Sequence, residues 1–243
     1  MNTNSNNIKG IIFDYGGTLD TGGDHWSEVI WEAWQEAGVA VEKPLFREAY
    51  VYGERELART LHILPHHDFN DLLNIKMNIE LQYLAENGHF PPANIEETAK
   101  KTASLCYEKA KKSVEKAAVV LKELSKTYPL VLVSNFYGNI ETVLKDFGID
   151  SYFQKIIESA VVGVKKPDPK IFLLGAQALK LRPEEILVVG DSYDKDIEPA
   201  RKAGFKTLWL RGKGWNDDIL PADDESVIRN LDDVIGFVEG ESA

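Results

Sequence analysis

The sequence predicts an α/β fold, a parallel sheet core that carries an all-helical insertion after its first strand. Three observations predict it. The apolar runs at residues 11–13, 130–133 and 186–189 are short and mostly β-branched, as expected of strands buried on both faces. Each run stops at polar residues: Asp14, then Ser134 and Asn135, then Gly190 and Asp191. From Val114 onward these runs alternate with helical stretches, whereas residues 21–113 carry helical periodicity and no convincing strand.

The first strand ends on Asp14, followed by Gly16, Gly17 and Thr18. In open parallel sheets the crevice beyond the carboxyl ends of the strands takes ligands, and glycines there let backbone come close. An acid so placed either belongs to a site or caps the turn at Gly16 and Gly17. Gly22 and Gly23 then break the pattern. Val29, Ile30, Ala33, Trp34 and Ala37 share a helical face that stops at Gly38; Leu73, Met77, Leu81 and Leu84 form a second, stopped at Asn87 and Gly88. Ile95, Ala99, Thr102, Ala103, Cys106 and Ala110 make a third. Crossings near Gly22-Gly23 and residues 111–113 divide the chain into an α/β core, residues 1–20 and 114–243, and a helical domain, residues 21–113.

Val114, Ala117, Ala118, Leu121 and Leu124 begin the alternation with a helix, and Pro129 precedes the second strand. A helix over 139–147 closes at Gly148, and a weaker strand follows at Lys155, Ile156 and Ile157. Residues 161–169 read as a loop whose Pro169 opens the next helix. The strand at 186–189, a helix over 197–203 stopped by Gly204, and a strand at 206–210 complete the series. The apolar spacing from Val227 to Val238 predicts a final helix, and residues 209–215 a loop over the sheet edge. Right-handed crossovers place all strand ends at one edge, which gathers Asp14, Ser134, the Lys166 loop and Asp191.

Composition limits the partners. With 28 Lys+Arg against 39 Asp+Glu the net charge is −11, which argues against a broad nucleic-acid-binding face but leaves anionic small molecules open. Cys106 is the single cysteine, so neither a disulfide framework nor a thiolate metal cluster is expected. No stretch approaches the ~18 apolar residues of a membrane span. The polar, Asn-rich start lacks the pattern of a secretory signal, so a cytoplasmic location is expected.

The segments F-D-Y-G-G-T-L at 13–19, V-S-N at 133–135, K-K-P-D-P-K-I-F at 165–172 and V-G-D-S-Y-D-K-D-I at 189–197 resemble, in order and spacing, the four signature motifs of the haloacid dehalogenase (HAD) superfamily. The resemblance covers residues 8–20 and about 129–210, and the helical insertion looks like the C1 cap of subfamily I. It implies a Rossmann-like core and a hydrolase, a Mg²⁺-dependent phosphatase acting on a small phosphorylated metabolite. Asp14 would be the nucleophile that forms an aspartyl-phosphate. Mg²⁺ would be held by Asp14, the Gly16 carbonyl and Asp191. Lys166, directly before Pro167, would compensate charge on Asp14 and the phosphate, leaving Lys165 as a solvated neighbour. Ser134 and the Asn135 backbone N–H would bind phosphate, although Ser134 also suits a simple turn. Asp196 would hold Lys166 or a metal-bound water from behind the ligands, or cap the helix at Ile197, with Asp194 as the alternate.

This chain departs from the family pattern at Gly16. Phosphatases of the family usually carry a second aspartate there, which protonates the leaving group and then activates water. Its absence predicts slow turnover, a substitute group, or another reaction. Tyr15, Asp20, Asp24 and His25 are neighbours in sequence, and Asp20 reads as structural. The alternatives are a metal-independent 2-haloacid dehalogenase and a catalytically weakened binding or regulatory protein; the intact Asp191 favours the phosphatase. In the insertion, Arg55 and Arg59 share a helix face that reads as exposed but would suit an anionic leaving group. His62, His66 and His67 read as a solvated loop rather than a second metal site. Trp26, Trp31 and Trp34 are expected to pack helices together.

Overall fold

In the computed structural model, which describes residues 7–214 and 226–240, the apolar runs pair as one six-stranded parallel sheet. The strands are β1 (Gly10–Phe13), β2 (Leu130–Ser134), β3 (Phe153–Glu158), β4 (Ile186–Gly190), β5 (Lys206–Leu210) and β6 (Val227–Ile228). Their order is β3-β2-β1-β4-β5-β6. The chain winds outward from β1 in one direction and then restarts at β4 on the other side, so β1 and β4 flank the topological switch point. Register sets Phe13 beside Leu132 on one side and Val189 on the other. The residues that follow, Asp14, Ser134 and Asp191, therefore emerge at nearly one level.

Alternation along the strands separates two apolar layers. Ile12, Val131, Val133 and Val188 face a layer shared with Ile171, Phe172 and Ala176 of α7 (Lys170–Leu179) and Ala200 of α8 (Glu198–Lys202). Ile11, Phe13, Leu132, Leu187 and Val189 face the larger layer, which continues through α5 (Ile140–Asp146) and into the inserted helices. Those helices are α1 (Trp26–Ala37), α2 (Lys43–Arg59), α3 (Phe69–Glu86) and α4 (Ile95–Leu124). α1 is capped by the His25 ring, which accepts from the Ser27 N–H, and stops at Gly38. Asp68 and Asp71 form a capping box at the start of α3.

Three element expectations change. The apolar stripe of residues 95–110 and the helix expected from Val114 are one continuous helix, α4; nothing between Lys111 and Ser113 interrupts its hydrogen bonding, because these residues are good or neutral helix formers. The stretch expected as loop at 161–169 begins with a short helix, α6 (Ser159–Val162). Val227 and Ile228, expected in the final helix, pair instead with Trp209 and Leu210 as β6, and α9 (Asp233–Glu239) starts later. Two adjacent apolar residues satisfy either periodicity, and only the open edge of β5 decides between them. Of the expected 209–215 loop, Trp215 lies outside the described residues.

Candidate active site

The strand ends and the inserted helices enclose a cavity of about 160 Å³. Asp14, Gly16, Ser134, Asn135, Lys166, Asp191 and Asp196, all singled out in the sequence, line it together. Asp14 leaves β1 with its N–H donated to the Val189 carbonyl at 3.0 Å, and the residue is 5% exposed. The Lys166 ammonium donates to Asp14 Oδ1 at 2.5 Å and to Asp196 Oδ1 at 2.6 Å. Burial works against the charge on Lys166, but the two carboxylates outweigh it and hold the ammonium well above the ordinary lysine range. Asp196 Oδ2 accepts the Ser192 N–H at 3.1 Å, so both its oxygens are committed. It thus contacts Lys166, one of the three roles expected of it, and it sits inside a π-helical turn, Tyr193–Ile197, not at a plain helix start. Asp194 is exposed.

Asp14, Asp191 and Asp196 bring carboxylate oxygens within 4.8 Å of one another. Three carboxylates face a single buried ammonium. Burial and then the neighbouring Asp14 and Asp196 push the Asp191 carboxyl well above its usual range, and burial pushes Asp196 up to about 6. The donor set is all oxygen and short of positive charge, which fits a hard divalent cation such as Mg²⁺.

Around this centre, the hydroxyl of Thr18 donates toward Asp191 Oδ1 at 3.0 Å and Asp14 Oδ2 at 3.3 Å. Gly17, φ 96°, lies so close to Asp191 that a Cβ would stand 2.3 Å from its Oδ2. The Ser134 hydroxyl is buried and has no hydrogen-bond partner among the described residues, an arrangement that suits an incoming acceptor. Asn135 contributes more than an N–H: its side chain accepts from the Lys166 N–H at 2.8 Å and donates to the Lys166 carbonyl at 3.0 Å, clamping the lysine loop to the end of β2. Asp20 accepts from the Gly17 N–H at 2.7 Å and from Trp26 Nε1 at 2.9 Å, which ties the loop after Asp14 to α1; burial raises its carboxyl to about 8.

Sequence reasoning missed several neighbours. Thr18 was legible only as part of G-G-T, since nothing local says that its hydroxyl bridges two distant carboxylates. Glu54, Lys76, Tyr50, Phe69 and Tyr137 also line the cavity, and helical spacing carries no sign of it. Arg55 and Arg59 are exposed and outside the cavity lining, and Arg59 pairs with Glu56. Pro65 and His67 dock on the core, their carbonyls accepting from Thr142 and Asn139. Trp34 and Trp31 pack against Phe46 and Trp26 against Phe69 of α3, as expected, and Trp26 also reaches the cavity wall.

A family model for haloacid dehalogenase-like hydrolases matches residues 8–204. The chain belongs to this family. Its sheet and flanking helices are the HAD-like α/β fold expected from the motifs. A glyceraldehyde 3-phosphate phosphatase from Methanopyrus kandleri is 42% identical over 80 residues, 33% of this chain and 34% of that protein. The 5-amino-6-(5-phospho-D-ribitylamino)uracil phosphatase YigB from Escherichia coli is 32% identical over 112 residues, 46% of this chain and 44% of that protein. The matched stretches span less than half the length of these relatives. The HAD-hydrolase YfnB from Bacillus subtilis, solved with magnesium bound, superposes with a TM-score of 0.59 at 19% identity over 95% of this chain and 98% of that one. Dehalogenases and phosphatases both occur among such structural neighbours, so this likeness speaks to fold alone. Among the described residues no helix is long and apolar enough to cross a membrane.

Proposed function

We propose that this HAD-family chain is a Mg²⁺-dependent phosphatase that hydrolyses a small phosphorylated metabolite through an aspartyl-phosphate on Asp14, with residues 21–113 acting as its cap domain. The observation that carries the reading is the charge imbalance at the strand ends, three converging carboxylates against one buried ammonium. Displacement of halide from carbon needs no such cation-demanding cluster. Phosphoryl transfer to a carboxylate does, because nucleophile and substrate are both anionic. The phosphatase names of the curated relatives agree with it.

Asp14, Asp191 and the Gly16 carbonyl would hold the metal, which when bound supplies positive charge for the transferred phosphoryl group. The chain's own residues do the rest. The Ser134 hydroxyl, Asn135 N–H and Lys166 ammonium bind phosphate oxygens, and Lys166 fixes the Asp14 carboxylate against rotation. Asp14 attacks phosphorus; the P–O bond to the leaving group breaks, and water later releases phosphate from Asp14. No side chain at Gly16 protonates the departing oxygen. Turnover is therefore slow or draws its proton from elsewhere, since a positioned acid or base contributes about 10²–10⁴-fold.

The test is phosphate release from an aryl phosphate and a panel of phosphorylated metabolites, with Mg²⁺ and with chelator, beside halide release from 2-chloropropionate. Release that requires Mg²⁺ and falls by more than about a thousandfold in Asp14→Asn is expected. Halide release without metal would move the chain to the dehalogenases, and silence in both assays would make it a binding protein.

A further inference from the structure

Opposite the nucleophile, the cavity wall built by α2 and α3 carries a charged cluster that the chemistry at Asp14 does not use. Lys76 of α3, 4% exposed, forms an ion pair with Glu54 of α2. Glu80, one turn along α3 and fully buried, stands with Oε1 3.4 Å from the same ammonium. The Tyr50 ring lies under it, 4.5 Å from Nζ to the ring centre. From the core side, the Tyr137 hydroxyl donates to Glu54 at 3.2 Å.

Stability alone does not account for this arrangement, because buried ion pairs are commonly no better than apolar residues of the same volume. The helices are also adapted to it. Gly53 stands in the interior of α2, where glycine is a poor helix former, and a Cβ there would lie 2.8 Å from Glu80 Cγ. The glycine admits Glu80; Glu80 and Tyr50 fix Lys76; Lys76 and Tyr137 fix Glu54. The chain of contacts ends at the Glu54 carboxylate, whose side chain is 40% exposed and lines the same cavity as Asp14 and Ser134. Lys76 overcomes the effect of burial and holds that carboxyl below its usual range.

An ionised carboxylate held on both flanks is an acceptor. The Lys76 ammonium is turned to Glu54, Glu80 and the Tyr50 face, so the cluster itself presents acceptor capacity, with Lys195 the further cation at the same cavity. We propose that Glu54 is the specificity-determining residue for the leaving group and selects phosphomonoesters whose leaving group carries a hydroxyl, against those carrying a carboxylate. This rests on the phosphatase reading above. A substrate hydroxyl completes the lone pairs of Glu54, whereas a substrate carboxylate meets the like charge of Glu54 there.

The experiment compares kcat/KM for glycerol 3-phosphate, propyl phosphate and phosphoglycolate in the wild type, Glu54→Gln and Tyr137→Phe, with Mg²⁺. The wild type is expected to favour glycerol 3-phosphate over propyl phosphate by about ten- to a hundredfold and to disfavour phosphoglycolate, the range of a hydrogen bond to a charged group. Glu54→Gln should shift the glycerol-to-glycolate ratio at least about tenfold toward phosphoglycolate, and Tyr137→Phe should shift it less in the same direction. A wild-type preference for phosphoglycolate, or ratios unmoved by both variants, would overturn the proposal. Tyr137→Phe keeps the Glu54–Lys76 pair and serves alone if Glu54→Gln does not fold. If the wild type hydrolyses nothing, aryl phosphate included, the phosphatase reading fails separately. Calorimetric binding of the same three compounds then decides the subsite: the same rank order lost in Glu54→Gln supports it, and equal affinities overturn it.

Discussion

Gly16 stands where the motif resemblance leads one to expect a second aspartate, and its surroundings leave room for one. A Cβ there meets nothing within 4 Å. Gly16→Asp is therefore expected to fold and to raise phosphate release by about 10²–10⁴-fold, read as kcat on an aryl phosphate; no gain would mean that another group already moves the proton. Its neighbour behaves oppositely. Gly17 combines φ 96° with the close approach of Asp191, so Gly17→Ala should lose more than about 1 kcal/mol in urea denaturation and weaken Mg²⁺ binding with it. Two adjacent glycines thus differ in meaning, one an absent side chain and the other a required absence.

At the scale of elements, the α2–α3 pair is where polar chemistry enters the apolar interior of the insertion. Burial raises the Glu80 carboxyl from 4.5 to about 7, with Lys76 opposing and Glu54 adding to the rise. The folded chain therefore keeps a proton that the unfolded chain releases as pH climbs from about 4.5 to 7. Stability falls with rising pH across that window, by on the order of 3 kcal/mol at most. Glu80→Gln should flatten the decline, and a pH series of urea midpoints for the two proteins checks it; parallel curves would show that Glu80 is ionised throughout. The turn after β4 shows the same economy of placement. Its π-helical geometry, opened by Ser192, turns Asp196 inward to Lys166 while leaving Lys195 exposed at the cavity.

For the whole molecule, the site is a place where stability is given up. Asp191 is held near two other carboxylates, so Asp191→Asn should raise the melting temperature of the metal-free protein while abolishing its rise on adding Mg²⁺. With Mg²⁺ at about a hundred times its dissociation constant the wild type gains roughly 2.7 kcal/mol, which scanning calorimetry reads as several degrees. A metal-dependent rise that survives in Asp191→Asn would remove Asp191 from the ligand set. The sequence by itself determined the parallel α/β core, the helical insertion and the meeting of Asp14, Ser134, Lys166 and Asp191, because strand ends in a singly handed parallel sheet have only one edge to occupy. The four motifs, read together, also carried the family. What only the tertiary structure decided were contacts between elements with no shared period: Thr18 bridging Asp14 and Asp191, Asn135 clamping Lys166, β6 completing the sheet edge, and the Glu80–Lys76–Glu54–Tyr137 cluster. Periodicity reports which face of a helix is buried, not what stands across from it, so Lys76 and Glu80 lay hidden within an apolar stripe until α2 and Tyr137 were packed against them.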